Sequence, residues 1–167
     1  YNSACFVGRQ DDLEEINELL AKNQLVFLSG IGKTELAKQY AYRHRAQYDT
    51  VVFAVYEKNI ESLVRDEIGI NQISCEEDET ERDYFKRKIE VLKQAATPKD
   101  LIIIDNFDVD ADEDLETLFA CPCKFIITTR KDFRDYNYEQ INVDRIKDIQ
   151  EILNLFYTYT SIPYTEK

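Results

Sequence analysis

Ser29-Gly30-Ile31-Gly32-Lys33-Thr34 decides how this 167-residue chain is read. Leu25-Val26-Phe27-Leu28 precedes it, a short apolar run that suits a buried strand. Glu35-Leu36-Ala37-Lys38-Gln39-Tyr40-Ala41 follows, built largely of good helix formers. Strand, glycine turn, Gly-Lys-Thr and helix together make the context of a phosphate-binding P-loop. Backbone N–H groups in such a turn point inward and cradle phosphate oxygens. The helix N-terminus adds its dipole. In that pattern Gly30 and Gly32 shape the turn, Lys33 reaches the β- and γ-phosphates, and Thr34 holds Mg²⁺.

The pattern is short. It calls for four residues between its first Gly and the Gly-Lys pair, and here only Ile31 separates Gly30 from Gly32. Aligned on Gly32, the first position falls on Phe27, which cannot turn as Gly does. Three readings remain open. The chain carries a deletion of three residues, which would abolish phosphate binding. Alternatively, a mobile loop tip belongs between Gly30 and Gly32, so that the chain is interrupted there. The bland reading is an ordinary glycine turn. The interrupted loop is the expectation taken forward.

The length fits one domain with a substantial core. No apolar run approaches membrane-spanning length, and no secretory leader pattern opens the sequence. The chain contains no Met, so the expectation is a piece of a larger protein. The net charge of −12 argues against non-specific binding to nucleic acid or anionic membranes, which needs clustered Lys and Arg. Acidic residues crowd into 75–83, read as solvated surface, and into 105–116, where Asp105 has a sharper meaning. The four cysteines, Cys5, Cys75, Cys121 and Cys123, form no Cys-x-x-Cys pair, and His44 is the sole histidine. That set offers no zinc site and no disulfide scaffold; a cytoplasmic, reducing setting fits.

Along the chain, Asp11 followed by Glu14 reads as a helix cap. A helix is expected near 11–22 and a strand near 24–29, then a helix from 33 to 47 with Leu36, Ala37, Tyr40 and Ala41 inward. Thr50–Tyr56 reads as a strand. Helices follow near 60–68 and 79–95, with a loop over 69–80. Leu101-Ile102-Ile103-Ile104 suits a central parallel strand. A short helix near 112–119, a strand at Phe125–Thr129, a weaker strand at Gln140–Val143 and a helix near 146–159 complete the reading. Alternating strands and helices imply an α/β fold around a mostly parallel sheet.

Two further stretches carry chemistry. Asp105 ends the apolar strand, about 70 residues after the Gly-Lys-Thr turn. At a strand's carboxyl end such an acid faces the ligand crevice of an open α/β sheet, where it would hold Mg²⁺ opposite Thr34. Its bland reading is a turn residue. Asn106 follows it and cannot act as a general base, so any hydrolysis is expected to be slow. Asp108 could substitute as the base, but it reads first as a turn or helix cap. Thr128-Thr129-Arg130 ends the next strand, where an Arg fork can reach a γ-phosphate or simply pair with a surface carboxylate.

Phe6-Val7-Gly8-Arg9, Gly-Lys-Thr-x-Leu-Ala, Ile-Ile-Ile-Asp-Asn and Ile-Ile-Thr-Thr-Arg occur in this order. Together they resemble the NB-ARC nucleotide-binding domain of STAND-class signalling ATPases, over about residues 5–160. The resemblance implies a P-loop NTPase fold with five strands in the order 5-1-4-3-2. It implies ATP or ADP with Mg²⁺ as ligand. Phe6, Val7, Gly8 and Arg9 would lie near the adenine; Gly30, Gly32, Lys33 and Thr34 would hold the phosphates; Thr34 and Asp105 would hold the metal. Lys33, Asp105 and Arg130 would be the catalytic set, with Arg130 as sensor. It implies one nucleotide-binding domain over 1–167, made of an adenine-side segment and helix (1–22), a P-loop core (23–145) and the start of a truncated helical subdomain (146–167).

The chain departs from the family in its short turn, in Asn106 where a second acid is usual, and in lacking the helical subdomain's own motifs. The function implied is a regulatory ATP/ADP switch in a signalling or defence protein, with other domains of its parent chain as partners and homo-oligomerisation on activation. A busy AAA-like motor or loader predicts Asp-Glu where Asp105-Asn106 stands. A degenerate interaction module without nucleotide is the third reading, supported by the short turn. A GTPase lacks support, because no Asn-Lys-x-Asp motif occurs.

Overall fold

The computed structural model describes residues 10–69 and 73–143. Five strands, β1 (Leu25–Ser29), β2 (Thr50–Val55), β3 (Asp100–Asp105), β4 (Lys124–Thr128) and β5 (Gln140–Asn142), alternate with helices α1 (Gln10–Lys22), α2 (Lys33–Arg43), α3 (Ile60–Glu67), α4 (Glu81–Ala95) and α5 (Leu115–Phe119). The strands form one sheet in the order β2-β3-β4-β1-β5. Every pairing is parallel. This is the expected α/β architecture and the expected strand order, read from the opposite edge.

The strands' period of two divides the core between the sheet's faces. Phe27, Ala54, Ile102, Ile104, Phe125 and Ile127 pack with Ile60, Leu63, Val64, Phe85 and Leu118 of α3, α4 and α5. Val26, Leu28, Leu101, Ile103, Ile126 and Ile141 pack with Leu13, Ile16, Leu20, Leu36, Ala37 and Tyr40 of α1 and α2. Central strands buried on both sides therefore need continuous apolar sequence, which explains the Ile run of β3. Cys121 and Cys123 lie in the first of these cores, and burial pushes their thiols up to about 11 and about 12.

Helix boundaries follow local chemistry. Asn59 caps α3 by accepting the Ser62 N–H at 2.7 Å, and Thr80 caps α4 by accepting the Asp83 N–H at 3.1 Å. The Lys88 ammonium, buried within α4, donates to the carbonyls of Val64, Arg65 and Ile68 at 3.0, 2.9 and 2.7 Å. It closes the C-terminus of α3, where the helix dipole favours a cation. Arg82 of α4 bonds Asp114 at 2.7 and 3.0 Å and Glu61 at 2.9 Å, joining α4 to α5 and α3.

Several expected boundaries move. Asp11 lies inside the first turn of α1, where its charge suits the dipole, and does not cap the helix. Helix α2 stops at Arg43, and 45–47 form a separate 3₁₀ turn. Helix α5 begins at Leu115, because Asp112 accepts bonds from the Tyr56 hydroxyl and the N–H groups of Ile60 and Asp114. The expected helix near 146–159 lies outside the described residues.

Candidate functional site

The turn after β1 is Gly30-Ile31-Gly32. Gly30 has φ 104° and Gly32 φ 83°, both in the left-handed region that Gly tolerates. Gly32 is the N-cap of α2 and its conformation aims Lys33 and Thr34 into the helix's first turn. The backbone runs continuously through this turn, where an interruption was expected. A turn this short presents fewer amides than a full P-loop would. No side chain caps that end.

Beside the turn is a cavity of about 550 Å³. The turn and first residues of α2, from Ser29 to Glu35, form one wall. Arg130, Lys131, Asp132 and Arg134, after β4, form another, and Gln140 and Asn142 of β5 close it. It thus lies outside the carboxyl ends of the strands, where ligands bind in open α/β sheets.

Four cations line this cavity against two acids, Glu35 and Asp132, in a chain of net charge −12. Three of the four are already paired. Arg130 is held by Asp108, Lys131 lies 3.4 Å from Asp110, and Arg134 lies 2.6 Å from Asp132. The hydrogen bonds from the Arg134 side chain and backbone hold the Asp132 carboxyl down at about 2. Lys33 is the exception: among the described residues its ammonium has only the Gly30 carbonyl, at 3.3 Å. A cation at a helix N-terminus opposes the dipole. It becomes favourable when an anion arrives between the two.

Behind Thr34 stands Asp105. The Thr34 hydroxyl donates to Asp105 Oδ1 at 2.7 Å. The carboxylate is buried, only 6 % exposed, and does not itself line the cavity. With its proton committed to Asp105, the Thr34 oxygen keeps its lone pairs for a cation. Among the described residues no group of three His, Cys, Asp or Glu side chains comes together as a metal cage. A hydroxyl and one carboxylate suit Mg²⁺, which keeps several waters and takes other ligands from phosphates.

Arg130 pairs with a surface carboxylate, one of the two readings its place in the sequence offered. Its side chain is 76 % exposed and its Nε and Nη2 each lie 3.2 Å from Asp108 Oδ2. Its backbone N–H donates to Asp108 Oδ1 at 2.8 Å. Asp108 therefore clamps Arg130, where a turn or helix cap was expected. Arg130 still borders the cavity with Lys33 and Thr34.

Asn106 has φ 65°, a left-handed conformation that Asn enters more readily than most residues. The backbone after β3 thus has its own reason to place Asn there. Phe6, Val7, Gly8 and Arg9 lie outside the described residues. Lys131, Arg134, Gln140 and Asn142 were not expected at the site. They belong to no local motif: Lys131 and Arg134 follow β4, Gln140 and Asn142 lie on β5, and these two strands flank β1.

No protein-family model matches this sequence, and no curated protein matches it significantly. Among the described residues, no helix is long and apolar enough to cross a membrane.

Proposed function

We propose that this chain is an adenine-nucleotide switch domain with a P-loop NTPase fold, of the NB-ARC-like STAND type. One observation carries the reading: Lys33, which among the described residues is the cavity's one cation without a carboxylate, adjoins Thr34, whose hydroxyl is bonded to Asp105. The strand order agrees with the order that the resemblance implies. In this reading Lys33 pairs with phosphate oxygens, and the first turn of α2 supplies N–H donors. Thr34 and Asp105 would hold Mg²⁺, Asp105 through water. Bound Mg²⁺ would neutralise charge on the phosphates. Arg130 leaves Asp108 to meet a γ-phosphate, which ADP lacks.

Hydrolysis is slow, because Asn106 offers no base. Exchange of ADP for ATP then governs homo-oligomerisation of a larger cytoplasmic signalling or defence protein, acting with its other domains. The short Gly30-Ile31-Gly32 turn favours a second reading, an interaction module that no longer takes nucleotide.

Thermal melting and calorimetric titration of the purified chain decide between them. ATP and ADP are expected to raise the melting temperature, more so with Mg²⁺, and GTP to do less. Ligand at 100 times its Kd adds about 2.7 kcal/mol. Turnover is expected far below the ~10 s⁻¹ typical of enzymes. The absence of any nucleotide-dependent shift would remove the nucleotide reading and leave the interaction module.

A further inference from the structure

Thr128 ends β4, between β1 and β3 in the sheet, and its side chain is fully buried. Its hydroxyl donates to Asp105 Oδ1 at 2.7 Å and accepts the Asn106 N–H at 2.9 Å. Its backbone carbonyl accepts the next amide, Phe107 N–H, at 2.8 Å. One residue therefore takes both amides of the segment leaving β3 and returns a proton to the carboxylate that ends it.

The consequence falls on Asp105. Two hydroxyls, from Thr34 and Thr128, converge on Oδ1. Rotation of the carboxylate would break both bonds, so its orientation is set. The hydroxyls leave Oδ2 as the oxygen available to a water or a cation. An Asn106 N–H donor fixes the direction of the Thr128 hydroxyl as well: with a lone pair engaged there, its proton goes to Asp105.

We propose that Thr128 is a positioning residue for Mg²⁺-dependent nucleotide binding, acting through Asp105 and touching neither ligand. The inference rests on the nucleotide reading above. A purely structural threonine in the same place would fill core volume and satisfy an amide, and its loss would weaken binding equally with and without metal.

The test is a titration of ATP affinity against Mg²⁺ concentration, with EDTA as the metal-free arm, in the wild type, Thr128→Val and Thr128→Ser. Valine keeps the shape and loses the hydroxyl; serine keeps the hydroxyl. Loss of a residue that orients a metal ligand commonly costs about 10–100-fold in metal affinity. Thr128→Val is therefore expected to move the Mg²⁺ midpoint upward by about tenfold or more while metal-free ATP affinity stays within about twofold. Thr128→Ser is expected to restore the wild-type midpoint. An unchanged midpoint in Thr128→Val, equal losses in both arms, or no restoration by serine would overturn the assignment. Should the valine variant not fold, Thr128→Ala takes its place with the same expected shift. A wild type that binds ATP without any Mg²⁺ effect overturns it too, and a wild type that binds no nucleotide removes the nucleotide reading itself.

Discussion

Thr34 and Asp105 are separated by 71 residues, yet the Thr34 hydroxyl lies 2.7 Å from Asp105 Oδ1. Thr34 opens the helix after β1, and Asp105 closes β3. These two strands are not neighbours; β4 lies between them. The contact reaches past β4, whose Thr128 bonds the same carboxylate oxygen. Thr34→Val is expected to abolish the Mg²⁺-dependent part of nucleotide affinity. It should also cost about 0.5–1.5 kcal/mol of stability without ligand, the usual worth of a hydrogen bond. Magnesium titration and denaturant unfolding measure the two effects separately.

Lys33 is expected to be essential for nucleotide and dispensable for folding. Among the described residues its ammonium has no carboxylate, and it opposes the dipole of α2, a mismatch of about 0.3–1 kcal/mol. Lys33→Ala should abolish binding while leaving the ligand-free melting temperature unchanged or slightly raised. Lys33→Arg should not rescue, because a planar fork does not replace a compact charge in a tight turn. Melting with and without Mg-ATP tests both variants. An alanine variant still stabilised by ATP would remove Lys33 from the site.

Arg130 is expected to distinguish ATP from ADP. At rest it is clamped by Asp108 on an exposed surface. An exposed pair contributes only about 0–1 kcal/mol, so a γ-phosphate can displace it readily. Arg130→Ala should weaken ATP more than ADP, with little loss of stability. Calorimetric titration with each nucleotide provides the comparison, and equal losses would reduce the residue to its bond with Asp108.

Asn106 should respond to backbone strain more than to side-chain chemistry. At φ 65°, Asn106→Gly is expected to be neutral or stabilising. Asn106→Val should cost about 1–2 kcal/mol, the penalty of a branched side chain in the left-handed region. Denaturant midpoints of the two variants test this, and a valine variant as stable as the glycine one would contradict the strain.

Lys88 belongs to stability alone. Its three carbonyl acceptors close α3 inside the protein. Lys88→Met keeps the apolar stem and leaves those carbonyls without their donor, at an expected cost of about 2–4 kcal/mol. Nucleotide affinity of the remaining folded protein should be unchanged. Parallel unfolding and binding measurements would reveal any link to the site.

The sequence by itself determined the layered α/β plan. Short continuous apolar runs and period-3.6 helices are local patterns, and the Ile run of β3 marked a strand buried on both faces. Gly-Lys-Thr and Asp105 were legible for the same reason: strand-end chemistry follows the strand. What the tertiary structure decided was which strand ends meet. Thr128 was visible only as the end of a strand until β4 set it between β1 and β3. Lys131, Arg134, Gln140 and Asn142 share a cavity with Lys33 because β4 and β5 both pair with β1. The clamp of Asp108 on Arg130 and the left-handed turn at Asn106 belong to the same class. Each depends on hydrogen bonds between segments about 20 residues apart or more, and pairing geometry over such separations leaves no periodic trace in a sequence.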